Sequence, residues 1–119
     1  MKVSNSKIII NSDETEIIRL IKSPNNLEKF HPFCKKNKVE VWNKEKSIDF
    51  VEYHNNKIYK RKFIDWGDNG YNLDIYEKRK LANISWNVVK ISNNKSSLII
   101  TAVPHLPFKY KIINQLIFK

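Results

Sequence analysis

A net charge of +10 on 119 residues, one cysteine, and only two glycines and four prolines set the first limits on this chain. The lone cysteine excludes an intrachain disulfide and any multi-cysteine zinc site, and the scarcity of glycine and proline excludes a flexible linker or low-complexity tract. A hydrophobic content of 41% is enough for one core, and no apolar run approaches the roughly 20 residues that span a bilayer, so the expectation is a single cytoplasmic domain over residues 1–119.

Residues 7–11 are rich in β-branched side chains and read as the end of a first strand. Ser12 and Asp13 then offer N-caps, and Glu16 sits three beyond Asp13 as in a capping box, so a helix should start there with Ile17, Ile18, Leu20 and Ile21 as its inward stripe. Ser23 and Pro24 end that helix and open a second short one through Leu27 and Phe30. Pro32 forces His31 out of the helical region, and Phe30 and Phe33 plug one end of the core. Six extended segments follow, at 39–42, 47–53, 58–65, 71–77, 82–91 and 96–103. With the first strand they make an antiparallel meander of seven, covered by helices. Gly67 and Gly70 lie in one turn, which points to a connection with positive φ. After Pro107, Phe108, Ile112, Ile113 and Leu116 share one face of an amphipathic C-terminal helix, with Lys109 and Lys111 away from it.

Two hairpins can be registered on paper. A two-residue turn at Asn93 and Asn94 sets Val88 opposite Ile99, Trp86 opposite Thr101 and Ile84 opposite Val103. The same turn at Asn55 and Asn56 sets Glu52 opposite Tyr59, Phe50 opposite Arg61 and Ile48 opposite Phe63, and leaves Asp49 facing Lys62 and Val51 facing Lys60 on the other side. A three-residue turn at either site changes the pairing.

The element order, with Ser23-Pro24-Asn25-Asn26-Leu27 at the junction of the short helices, the run from Tyr59 through Arg61, Phe63 and Asp65 to Trp66, the triplet Ile84-Ser85-Trp86 and the terminal Ile99-Ile100-Thr101, resembles the START-like or SRPBCC superfamily. That group includes polyketide cyclase-like proteins, plant pollen allergens and coenzyme Q-binding proteins. The resemblance implies an α+β helix-grip fold: a curved antiparallel sheet of six to seven strands, two short helices after the first strand, and a C-terminal helix packed on the sheet around an apolar cavity. The family's helix is about twice as long as the segment after Pro107, which points to incomplete closure or to a chain truncated at its C-terminus.

The ligand-lining set expected from the registers is Phe50, Glu52, Tyr59, Arg61, Phe63, Tyr71, Leu73, Ile84, Trp86 and Thr101. Glu52 and Arg61 are the polar pair that could orient a carboxylate, hydroxyl or carbonyl. His31, His54 and His105 have no ligand spacing, and Cys34 has no positioned base, so no metal, cofactor or catalytic group is expected. Binding, carriage or sensing of a small hydrophobic molecule is therefore the leading function. The alternative is an enzyme of the cyclase or dehydratase type, with Glu52 or a tyrosine as acid or base. The third is a polyanion- or membrane-binding module. Nineteen of the 22 basic residues are lysine, clustered at Lys60-Arg61-Lys62 and Lys78-Arg79-Lys80. Weak, nonspecific contact with a polyanion or an anionic membrane is expected, without sequence-specific nucleic-acid recognition, and the discriminator is whether the lysines converge on one surface. Oligomeric state is left open.

Overall fold

Asp13 accepts the Glu16 backbone N–H at 2.9 Å and starts α1, Glu14–Ile21. Glu16 itself pairs with Arg19 rather than closing a capping box. Ile17 and Ile21 are buried one turn apart, as a helical stripe requires, whereas Leu20 is exposed, which corrects the wider stripe expected. Ser23 does not cap a second helix: its hydroxyl donates back to the Arg19 carbonyl, and α2, Leu27–Phe30, begins four residues later. The computed structural model describes residues 3–30 and 34–105. The expectations for His31 to Phe33 and for the C-terminal helix lie outside the described residues.

The strands are β1, Ser4–Ile10; β2, Cys34–Val41; β3, Ile48–Tyr53; β4, Ile58–Gly67; β5, Gly70–Glu77; β6, Arg79–Ser92; and β7, Lys95–Pro104. They form one seven-stranded antiparallel sheet in the order β1-β7-β6-β5-β4-β3-β2. Register shifts in four of the six pairings bend it. β2 begins five residues earlier than the alternation suggested, because Lys35, Lys36 and Lys38 occupy an edge strand with little apolar signal.

Both hairpin registers differ from expectation by one residue, for separate reasons. Tyr53 N–H bonds to the Lys57 carbonyl, and Asn56 takes φ 67°, so the connection from β3 to β4 has three residues rather than two. Val51 consequently faces Tyr59 and Asp49 faces Arg61. In the last hairpin Ser92 pairs with Lys95 around Asn93 and Asn94 as expected, but the ladder shifts between Lys90 and Ser92. Beyond that bulge Val88 faces Leu98, Trp86 faces Ile100 and Ile84 faces Ala102. Because side chains alternate with period two, a one-residue change exchanges the faces of β3 and β7.

Neither glycine has positive φ. Gly67 and Gly70 instead pair across Asp68 and Asn69, and Gly70 is required for a different reason: a Cβ there would lie 1.8 Å from the Trp86 carbonyl oxygen.

The inner face carries the core. Val51, Tyr59, Phe63, Tyr71, Leu73, Ile75, Ile84, Trp86, Val88, Leu98 and Ile100 are all buried on it, and Ile17, Ile21 and Leu27 join them from the helices.

Candidate functional site

Most of the inner face is apolar, so the charged and amide groups buried within it stand apart energetically. Asp49 on β3 and Arg61 on β4 face each other across the ladder, with side chains 0% and 4% exposed. Arg61 donates Nε to Oδ1 at 2.7 Å and Nη2 to Oδ2 at 2.5 Å, a bidentate fork on the carboxylate. Asn37, reaching in from β2, donates to the same Oδ2 at 3.0 Å and to the Phe50 carbonyl at 3.1 Å. Burial works against the guanidinium charge, but the adjoining Asp49 outweighs it and holds Arg61 above its ordinary pKa.

Three atoms in this region remain buried without a hydrogen-bond partner among the described residues: Arg61 Nη1, Asn37 Oδ1 and Asn26 Oδ1. Such atoms carry the desolvation cost of a polar group without its compensation. Asn26 is held by its amide nitrogen, which donates to the Leu20 and Ile21 carbonyls and closes the end of α1. Tyr71 donates its hydroxyl to the same Ile21 carbonyl at 3.0 Å. The helix junction is thereby tied to the sheet beside the ion pair.

An aromatic wall continues from this cluster. Phe63 lies 4.8 Å from Tyr71 and 5.3 Å from Trp42, Trp66 stacks on Tyr71 at 5.3 Å, and Trp86 lies 5.9 Å from Tyr71. The Arg61 guanidinium sits 5.2 Å from the Phe63 ring. Lys22 lies over Trp66 and donates to the Gly67 carbonyl at 2.5 Å; burial lowers its pKa. On the other side of Arg61, Tyr53 and Tyr59 meet edge to face at 5.2 Å, with Cys34 paired to Tyr53 across the β2–β3 ladder.

Burial raises the pKa of Tyr53, Tyr59 and Tyr71, and pushes the Cys34 thiol up to about 11. All four are protonated near neutrality. They can donate hydrogen bonds, but they are poorly tuned as bases.

Of the expected lining residues, Tyr59, Arg61, Phe63, Tyr71, Leu73, Ile84 and Trp86 come together on the inner face. Phe50, Glu52 and Thr101 do not. The three-residue turn sends Phe50 and Glu52 to the outer face, where Glu52 pairs with Lys35 at 3.6 Å. The bulge near Ile91 sends Thr101 outward, where its hydroxyl meets the Asn5 side chain at 2.9 Å. The partner of Arg61 is thus Asp49, not Glu52. Asp49, Asn37 and Asn26 were missed by sequence reasoning; the alternation Asp49, Val51, Tyr53 carries the signal once a three-residue turn is assumed.

No protein-family model matches this chain, and no curated protein sequence is similar to it. Solved structures are similar in fold. An uncharacterised protein from Bacillus thuringiensis superposes with a TM-score of 0.79 at 10% identity, covering 97% of this chain and 90% of that one. Norcoclaurine synthase from Thalictrum flavum, in complex with dopamine and hydroxybenzaldehyde, gives 0.73 at 16% identity over 98% of this chain and 76% of its own. A START superfamily protein from Mycobacterium smegmatis gives 0.72 at 9% identity over 96% and 90%. The chain has the START-like, α+β helix-grip fold that its element order resembles.

Proposed function

We propose that this protein binds a small hydrophobic molecule against the inner face of its sheet and anchors one polar atom of that molecule on Arg61. The observation that carries this reading is the Arg61 Nη1 group, buried beside an aromatic wall with no hydrogen-bond partner of its own among the described residues, on a guanidinium whose other edge is engaged by Asp49 and which also acts on the Tyr71 hydroxyl. Asp49 already neutralises the charge. A carboxylate would bring a second negative charge into a buried site, so a carbonyl or hydroxyl is the better match. Norcoclaurine synthase, of the same fold, is known with small phenolic and aldehyde ligands, which supports an aromatic-lined site of this kind.

Binding is favoured over turnover. The inner-face tyrosines and Cys34 have pKa values moved away from neutrality, and Asp49 is committed to Arg61 and Asn37. Glu52, the carboxylate considered for acid–base work, faces outward.

The test uses native mass spectrometry of protein purified from its own host, followed by titration with aromatic ketones and phenols read by tryptophan emission. The paired substitution Asp49→Leu with Arg61→Met keeps the site's volume while removing its polarity. Retained stability with at least tenfold weaker ketone binding is expected. No ligand response in the native protein, or an affinity unchanged by the paired substitution, would overturn the assignment.

A further inference from the structure

The outer face of the sheet follows a different pattern from the inner one. Reading across the ladders from β2 to β6, Lys38 pairs with Phe50, Phe50 with Lys60, Lys60 with Tyr76, and Tyr76 with Lys80. Cation and ring alternate strand by strand, at about 4.8 Å per step. Lys36 and Lys62 flank this row on the same face. Two adjoining concavities of about 480 and 470 Å³ run along it and share Phe50 and Ile58 in their lining.

Five lysines line this trough: Lys36, Lys38, Lys60, Lys62 and Lys78. Among the described residues none of them is in an ion pair. The two carboxylates in the lining, Glu52 and Glu77, are each already matched by Lys35 and Lys57, at 3.6 and 3.8 Å. The trough is therefore a focused positive surface whose aromatic groups are half-buried between cations.

We propose that this trough binds single-stranded nucleic acid, with Phe50 and Tyr76 as stacking surfaces for bases and Lys36, Lys38, Lys60 and Lys62 as phosphate contacts. Sheet faces that take single strands combine a cationic groove with rings for bases, and stacking is tolerant of sequence because every base has a π-face. A duplex keeps its bases inside and cannot lay them on recessed rings. A bilayer surface is engaged by apolar groups that project beyond the charges, whereas Phe50 and Tyr76 sit between theirs. No base-edge readout is built here, so binding is nonspecific in sequence.

The experiment is fluorescence anisotropy of a labelled twenty-nucleotide oligothymidylate, its duplex with oligoadenylate, and vesicles containing phosphatidylserine, each at several salt concentrations. Four phosphate contacts give a slope of log K against log salt of about −3 for the single strand. Lys38→Glu with Lys60→Glu should weaken single-strand binding at least tenfold. Lys90→Glu with Lys95→Glu, the same charge change on the β6–β7 hairpin, should change it less than twofold. Phe50→Leu should weaken it about fivefold or more without altering the salt slope, with an unchanged urea midpoint showing that the sheet is intact. Equal loss in the two charge-reversal variants, duplex binding as tight as single-strand binding, or preference for vesicles over the oligonucleotide would each refute the proposal.

Discussion

Replacing Asp49 by asparagine removes one charge from a site where the carboxylate is wholly buried and its arginine is 4% exposed. The fold then retains a guanidinium that has lost both strong acceptors, and the new amide nitrogen faces other donors. Breaking a buried pair in this way costs about 3 to 5 kcal/mol. A domain of this size has about 5 to 15 kcal/mol in total, so the variant should stand close to its unfolding limit. With a urea dependence of about 2 kcal/mol per molar, the midpoint should fall by roughly 2 M. Equilibrium urea denaturation followed by circular dichroism at pH 7 measures it. The paired change Asp49→Leu with Arg61→Met should restore or exceed the native midpoint, because an apolar pair avoids the desolvation of both ions. A loss below about 1 kcal/mol for Asp49→Asn, the size of an exposed surface pair, would show that water reaches Arg61 and would remove the basis for treating Nη1 as an anchor.

Trp86, 6% exposed between Tyr71 and Ile100, should cost about 3 to 5 kcal/mol as Trp86→Ala, and its emission should respond to an inner-face ligand; a small stability loss with a large affinity loss would identify it as lining rather than core. Gly70→Ala should cost about 3 kcal/mol or more, since its Cβ meets backbone rather than a flexible side chain, and a near-native thermal midpoint would contradict the β5–β6 approach. Cys34 has its folded pKa raised from 9.0 to about 11, so the unfolded chain releases this proton first as pH rises. Its contribution is fully present below pH 9 and is lost on the way to pH 11, and the raised tyrosines add to the same decline. Urea midpoints across that range should fall, and Cys34→Ser should flatten the lower part of the slope.

The elements were readable where each strand carried its own alternation. β4 shows this best: Tyr59, Arg61 and Phe63 alternate with Lys60 and Lys62, and that face assignment survives a change in its partner. Faces inferred through a turn were less secure. A two-residue connection at Asn55 and Asn56 places Asp49 against Lys62, an unremarkable surface pair, and so conceals the partner of the buried arginine. The Tyr53 N–H bond to the Lys57 carbonyl and the left-handed φ of Asn56 reveal the extra residue. In the last hairpin the turn itself was read correctly, but a bulge one residue further on moved Thr101 outward, and nothing in Lys90, Ile91 or Ser92 announces it. Asn37 and Asn26 were invisible for another reason. Asparagine in a lysine-rich segment or after a proline reads as solvent-facing, and only tertiary packing gives it a buried acceptor.

The pairing of β1 with β7 has a consequence for the order of synthesis. Ser4 meets Ala102 and Ile10 meets Ser96, so β1 leaves a ribosome well before β7, the neighbour it pairs with, has been made. At about 5 to 20 residues per second, that is a wait of roughly 5 to 20 s. The strands from β2 to β6 can meanwhile zip in sequence through short loops, and α1 can form locally. Ile8, Ile9 and Ile10 spend this interval without a ladder, as a β-prone run able to pair with another nascent chain. Lys7, immediately before them, is the one charged residue in β1 placed to discourage that encounter until Ile99 arrives opposite it.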